Sequence, residues 1–158
     1  ALEVQFALEF LEGALQGTVT DRDARNLSLI PTRNMAAYRT YHQALNMRDS
    51  KHGVRTSPEY RALLREAAEL DPNFTRPLAE LVGSLSLPNF RQKDPALIEA
   101  AERTLAEIEA VAPNSSDFLI AQAYYTYYIL QDFDLAHAIA SEALEMSPSD
   151  VRLVEMKS

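Results

Sequence analysis

A chain of 158 residues that is 47% hydrophobic is long enough to bury one core and too short to favour two independent domains. It has no cysteine, which excludes disulfide bonds and thiolate metal sites, and it has no apolar run near the ~20 residues that a membrane helix needs. Its net charge of −8 is uneven, since residues 99–158 carry 11 acidic and 3 basic residues, whereas residues 21–65 carry 9 basic and 4 acidic ones. The acidic half makes direct nucleic-acid binding a poor prediction, and the basic segment leaves an anionic partner open.

The first predicted helix covers residues 1–15, where Val4, Leu8 and Leu11 form an apolar face. Gly17 is typical of a helix C-terminus, and the polar residues up to Arg33 predict a linker. Residues 1–33 are therefore interpreted as an N-terminal amphipathic helix and linker. Because the chain begins within this pattern, without methionine or a leader sequence, we expect it to be part of a longer protein.

Helices are also predicted through the rest of the chain, because apolar residues recur at helical spacing and only 4 glycines are present. Prolines and polar loops separate these segments, and no alternating pattern predicts a strand. The predicted helices span residues 35–48, 58–71, 74–87, 95–112, 118–131 and 134–146, and another begins at residue 151.

One submotif occurs three times with the same internal spacing. Small or apolar residues recur at i, i+4 and i+7, where they line one helix face, and a proline five residues later ends that helix. The pattern resembles the second half of the tetratricopeptide repeat (TPR) from Asn34 to the end of the chain. The three copies are Tyr60-Leu64-Ala67-Pro72, Ala101-Leu105-Ile108-Pro113 and Ala136-Ala140-Ala143-Pro148.

The resemblance implies an all-α fold, a TPR-like α-α superhelix of stacked antiparallel helix pairs. A repeat domain would cover residues 34–158, with about three units following the N-terminal helix. The prolines are 41 and then 35 residues apart, against a family period of 34, so residues 88–94 are interpreted as an insertion. The units span residues 34–72, 74–113 and 115–148, and another starts at 149–158.

A second resemblance concerns the strings Pro31 to Leu45 and Leu64 to Phe74. They resemble the C-terminal helical region of bacterial winged-helix transcriptional activators and adenylate cyclase-type signalling proteins. The resemblance implies a sensory or regulatory domain. It also implies a periplasmic location if the parent is a membrane-anchored regulator, and otherwise a cytoplasmic one.

Catalytic and cofactor motifs are missing from the sequence. No phosphate-binding glycine loop, nucleophile elbow or zinc-protease motif occurs, and His42, His52 and His137 have no partner at metal-ligand spacing. Neighbouring carboxylates such as Glu66 and Glu69 are typical of a solvated helix face. We therefore predict no enzyme, no catalytic residue, no cofactor and no metal.

Two aromatic stretches are the candidate binding residues. By the repeat alignment, Tyr124 and Tyr127 pack between the helices of a pair, while Gln122, Tyr125 and Tyr128 line a concave groove or, alternatively, the core. The second stretch contains Tyr38 and Tyr41, flanked by Arg39 and Arg48, and core packing is the alternative there as well. The sequence thus predicts a module that binds a peptide or partner protein, with homodimerisation also possible.

Overall fold

Six α-helices make up most of the computed structural model, which describes residues 32–50, 52–150 and 152. No strand occurs within these ranges, so the all-α prediction is confirmed there. The predicted N-terminal helix, most of the linker and the element beginning at residue 151 lie outside the described residues, apart from Arg152. The helices are α1 (Met35–Ser50), α2 (Pro58–Leu70), α3 (Arg76–Ser86), α4 (Pro95–Val111), α5 (Ser116–Tyr125) and α6 (Phe133–Met146).

The α1 helix follows Asn34, whose Oδ1 accepts from the Ala37 amide at 3.0 Å, and four later helices likewise begin after a residue whose side chain accepts a hydrogen bond from the first helical turn. Such a cap satisfies backbone N–H groups that have no partner inside the helix and contributes about 1 kcal/mol. In α2 and α4 a proline follows the cap, where its missing N–H costs nothing. The capping residues are Ser57, Asp94, Ser115 and Asp132.

The helices pack chiefly in consecutive pairs, α1 with α2, α3 with α4, and α5 with α6. The pairs are joined mainly through α3, which also packs against α2 and α5. The repeated submotif lies on α2, α4 and α6, and its helical positions are buried except for the half-buried Leu105. The i, i+4, i+7 spacing therefore marks the face that each second helix turns to its neighbours.

The core is built around α3, of which nine of the eleven residues are buried. Large side chains from three pairs meet there, including Leu64, Phe74, Val82 and Ile108. A smaller cluster between α5 and α6 contains Ile120 and Ala140. Full burial of each large apolar side chain contributes about 1.5–3 kcal/mol, so these clusters hold the pairs together.

The insertion between α3 and α4 is folded rather than open. A 3-10 turn, Leu87–Phe90, forms its first part. Asn89 is buried there, donates to the Leu85 carbonyl at 3.0 Å and accepts from the Asp94 amide at 2.7 Å. Gln131 donates to the Phe90 carbonyl at 3.0 Å, which ties the insertion to the connection between α5 and α6.

A π-helical turn, Thr126–Leu130, follows α5 and interrupts the helix predicted to run regularly to Gln131. Its end is fixed by Gln131, which has a left-handed backbone (φ 56°), and by a hydrogen bond from the Asp132 amide to the Thr126 carbonyl at 3.2 Å. Because i→i+5 bonding widens the turn, residues three apart no longer lie on the same side as in an α-helix. Tyr127 and Tyr128 lie inside this turn.

Candidate functional site

A groove of about 940 Å³ lies where the loop after α1 faces the insertion and the π-helical turn. Ligand sites usually have volumes of about 300–1,000 Å³ and combine apolar walls with a few polar groups. We call this space the arginine groove. Its charged and aromatic lining comprises Arg48, Arg55, Arg91, Phe90, Tyr127 and Tyr128, with Asp49 and His52 at its edge.

The arginines come from three segments that are fixed in different ways. Arg48 is in the last turn of α1, where a cation is favourable beside the helix dipole, and its Nε pairs with Asp49 at 3.1 Å. Arg55 lies in a 3-10 turn that follows Gly53, whose φ of 82° favours glycine, and the Ser84 hydroxyl donates to the Arg55 carbonyl. Arg91 follows the turn of the insertion and is exposed. The groove lining therefore carries three arginines, of which Arg48 is paired with Asp49.

An exposed aromatic patch, which consists of Phe90, Tyr127 and Phe133, borders the groove. These side chains are 44%, 38% and 48% exposed. The rings of Phe90 and Tyr127 are stacked with centroids 6.1 Å apart, and Tyr127 meets Phe133 edge-on at 4.9 Å. Clustered exposed rings are unusual on a monomer and typical of an interaction site. Because Phe90 and Tyr127 also line the arginine groove, the two surfaces are continuous.

Beneath the groove lies a second space, the inner cavity, of about 10 Å³, which has room for roughly one water molecule. It is lined by Glu80, Tyr60, Gly83 and Tyr124. The inner cavity is narrow because the Tyr124 ring packs closely against Gly83. A Cβ at position 83 would lie only 3.1 Å from that ring. The groove and the cavity adjoin, since Arg55, Leu87 and Tyr128 line both.

Glu80 is the centre of a buried charge cluster. Arg48 Nη1 lies 3.8 Å from its Oε2, and Arg152 Nε lies 3.8 Å from its Oε1. Arg152 continues the cluster by pairing with Asp117 at 2.8 Å and with Asp150. Burial raises the pKa of Glu80, and the charges of Arg152 and Arg48 oppose that increase. The charge cluster, Glu80, Arg48, Arg152, Asp117 and Asp150, joins α3 to the ends of α1 and α5 and to the segment after α6.

Several polar atoms of this region have no hydrogen-bond partner among the described residues. The hydroxyl of Tyr60 and Oε1 of Glu80, from side chains that are 1% and 4% exposed, both lie beside the inner cavity. Arg152 Nη1 is a third such atom. Burial and the nearby Glu80 charge raise the pKa of Tyr60, so its hydroxyl stays protonated and can donate. Each unpaired buried group costs about 1–3 kcal/mol, and binding can recover that cost.

Only some of the residues predicted from the sequence meet at this site. Arg48 and Tyr128 both line the arginine groove. Tyr41 is buried and meets the Phe74 ring edge-on at 5.3 Å, as its core alternative predicts. The remaining predicted residues lie elsewhere: Tyr38 packs on His42, Arg39 is exposed, Gln122 is half-buried, and Tyr125 donates to Glu102 of α4 at 2.6 Å.

The π-helical turn explains two differences within the tyrosine cluster. Tyr124 is buried as predicted. Tyr127 packs against Phe133 of α6, as a residue between the helices of a pair should, but its side chain is exposed in the aromatic patch rather than buried in the core. Tyr125 and Tyr128, expected on one side, are separated, since Tyr125 contacts α4 and Tyr128 lines the arginine groove. A wider turn changes the direction of each side chain that follows.

Glu80, Phe90, Arg91 and Phe133 were missed by the sequence argument. A signal existed for Glu80, since a single acid stands among the apolar residues of Pro77 to Leu85 and must be buried with them once α3 becomes central. The insertion residues Phe90 and Arg91 gave no periodic signal.

Within the described ranges, no group of three or more His, Asp or Glu side chains could hold a metal ion. His42 is half-buried, and burial lowers its pKa, while His52 and His137 are exposed. No helix in the described part of the chain has both the length and the apolar character that crossing a membrane requires.

No protein-family model, curated protein or solved structure matches this chain. The site is therefore interpreted from its own geometry.

Proposed function

We propose that the chain is a non-catalytic binding module that holds a peptide or partner protein on the arginine groove and the aromatic patch. The observation that carries the proposal is the continuity of these surfaces through Phe90 and Tyr127. Rings supply apolar contact area, and arginines supply charge and directed hydrogen bonds, the combination typical of interface hot spots. The best partner is an acidic segment that also carries apolar side chains.

A TPR-like arrangement is part of this proposal. Its support is the packing of the helices in consecutive pairs, and the burial of the repeated submotif on the second helix of each pair. Stacked pairs expose loops at their ends, and loops can carry binding residues without disturbing the core. The arginine groove is built mainly from such connections, namely residues 52–56, 87–91 and 126–130.

The test is a selection from a random peptide library against the purified protein. We expect enriched peptides to combine Asp or Glu with aromatic or aliphatic residues, and to lose binding to a Tyr127→Ser/Phe133→Ser variant. Val111→Ser is the matched control, because Val111 is equally exposed (44%) but belongs to α4, away from the patch. Enrichment of uncharged or basic peptides, or equal binding to both variants, would contradict the proposal.

A sensory domain of a signalling protein is the second candidate function. The charge cluster favours it, because unpaired buried atoms beside a cavity can couple ligand or proton binding to the packing of α1, α3 and α5. A sensor should change its melting temperature with a small effector or with pH in the absence of any partner. A peptide-binding module should respond only to the peptide, so thermal unfolding with and without the selected peptide separates the candidates.

A further inference from the structure

The inner cavity gives the arginine groove a polar end. Arg55, Leu87 and Tyr128 line both spaces, so the inner cavity lies directly beside the groove. Glu80 and Tyr60 line this end, and Oε1 of Glu80, 3.8 Å from Arg152 Nε, and the Tyr60 hydroxyl form no hydrogen bond of normal geometry in the described part of the chain. Both side chains are more than nine-tenths buried, so bulk water does not solvate them freely.

The size and charge of the inner cavity restrict what can enter. About 10 Å³ admits a group the size of one water molecule, such as a hydroxyl. An ammonium group is disfavoured by the arginines around Glu80, which approach it to 3.8 Å. A carboxylate or phosphate is disfavoured by the Glu80 charge and by its own size. A neutral hydroxyl fits both restrictions, since it can donate to Glu80 and accept from Tyr60.

The groove above the cavity determines which kind of partner side chain can carry this hydroxyl. Tyr128 and Phe90 meet edge-on with centroids 6.3 Å apart and both line the groove, so they offer aromatic surface to a planar ring. The arginines that line the groove favour acidic residues on either side of that ring.

We propose that the partner segment carries a tyrosine between acidic residues, with its ring against Tyr128 and Phe90 and its hydroxyl hydrogen-bonded to Glu80 and Tyr60. This inference rests on the proposed function and adds the residue that the groove selects. Phosphorylation of that tyrosine would prevent binding, because a phosphate group exceeds the cavity and meets the Glu80 carboxylate.

The experiment uses three fluorescein-labelled synthetic peptides, EDEYLDE, the same peptide with phenylalanine for tyrosine, and the same peptide with phosphotyrosine. Binding is measured by fluorescence polarisation at low salt. We expect the tyrosine peptide to bind about 25-fold more tightly than the phenylalanine peptide, as two recovered hydrogen bonds of about 5-fold each imply. The phosphotyrosine peptide should bind most weakly.

Two protein variants complete the test. Tyr60→Phe keeps the ring and should reduce the preference for the tyrosine peptide to about 5-fold, because one of the two hydrogen-bond partners is lost. Tyr125→Phe is the matched control, since its hydroxyl bonds Glu102 outside the groove, and it should keep the full preference. Circular dichroism checks that both variants are folded, and the tyrosine-to-phenylalanine comparison on the peptide requires no protein variant at all.

The outcomes separate this inference from the proposed function. Equal binding of the tyrosine and phenylalanine peptides, still lost in the Tyr127→Ser/Phe133→Ser variant, would overturn the tyrosine pocket and leave the binding module intact. Tightest binding of the phosphotyrosine peptide would overturn the pocket in favour of a phosphate site on the arginines. If no acidic peptide binds, the proposed function fails and the inference fails with it.

Discussion

The arginine groove and the charge cluster share Arg48 but differ in how far their arginines are buried and paired. In the charge cluster, Arg152 and Glu80 are buried and directed at each other, so their charges are largely used within the fold. In the groove, Arg91 is exposed and adjoins rings that are themselves exposed. Charge alone therefore does not identify a binding residue in this chain. Burial separates arginines that hold helices together from those that can meet a partner.

The largest expected effect on stability comes from removing the centre of the charge cluster. Glu80→Ala leaves Arg48 and Arg152 without their shared carboxylate and opens a cavity, so we expect the free energy of unfolding to fall by about 3 kcal/mol. Urea denaturation followed by circular dichroism measures this change. The control is Glu99→Ala, which breaks an exposed pair with Arg103 and should cost less than about 0.5 kcal/mol. Similar losses of unfolding free energy in the two variants would mean that a buried and an exposed carboxylate contribute equally to stability.

A smaller loss is expected where α3 approaches Tyr124. In Gly83→Ala the new Cβ would lie 3.1–3.3 Å from three atoms of that buried ring. Crowding should outweigh the gain in helix propensity and cost a net ~1 kcal/mol in thermal or urea unfolding. In a Tyr124→Leu background the ring is gone, and the same Gly83→Ala change should become stabilising. A stabilising Gly83→Ala change in the natural sequence would show that the inner cavity is looser than described.

Opposite signs are expected when the hydroxyl is removed from an inner and an outer tyrosine. Tyr60→Phe deletes a buried hydroxyl with no partner among the described residues, so stability should rise by up to about 1 kcal/mol. Tyr125→Phe deletes a half-buried hydroxyl that bonds Glu102 at 2.6 Å, so stability should fall by about 0.5 kcal/mol. The melting temperatures of both variants test this contrast. Shifts of the same sign in Tyr60→Phe and Tyr125→Phe would contradict it.

The smallest effects on stability should come from the groove and the aromatic patch. Arg91→Glu and Phe133→Ser each alter an exposed side chain and should change the free energy of unfolding by less than about 0.5 kcal/mol. Binding of acidic peptides should nevertheless fall about 10-fold or more, whereas Arg103→Glu on the exposed face of α4 should preserve it. A large loss of stability in Arg91→Glu would show that Arg91 belongs to the fold rather than to the binding surface.

The helices were largely predictable because their ends are encoded locally. Prolines at the first turn and capping side chains place the start of α2 and α4 at the predicted residues. The repeated spacing also identified the buried face of the second helices, since i, i+4 and i+7 fall on one side of any α-helix. Both features depend only on neighbours in sequence.

The candidate site was only partly predictable, because it depends on contacts between distant segments. Arg48 and Tyr128 were recognised by type and position, yet nothing local shows that they meet across about 80 residues of sequence. Phe90 was overlooked because it lies in an insertion without hydrophobic periodicity. Only the folded structure shows that its ring stacks on the ring of Tyr127. The exposure of Tyr127 was not predicted, because a π-helical turn has no sequence signature as clear as a proline or a cap.

The π-helical turn contains one residue more than the same stretch of α-helix would. This extra residue determines the direction in which each side chain after Tyr125 points. Deleting Thr126 would let α5 continue with ordinary i→i+4 bonding, and the following side chains would move back by one helical position. The aromatic patch would then be dispersed although every aromatic residue remained in the sequence. The aromatic patch is thus encoded partly by the number of residues in this turn, and homologues of equal composition but different length in this turn would lack it.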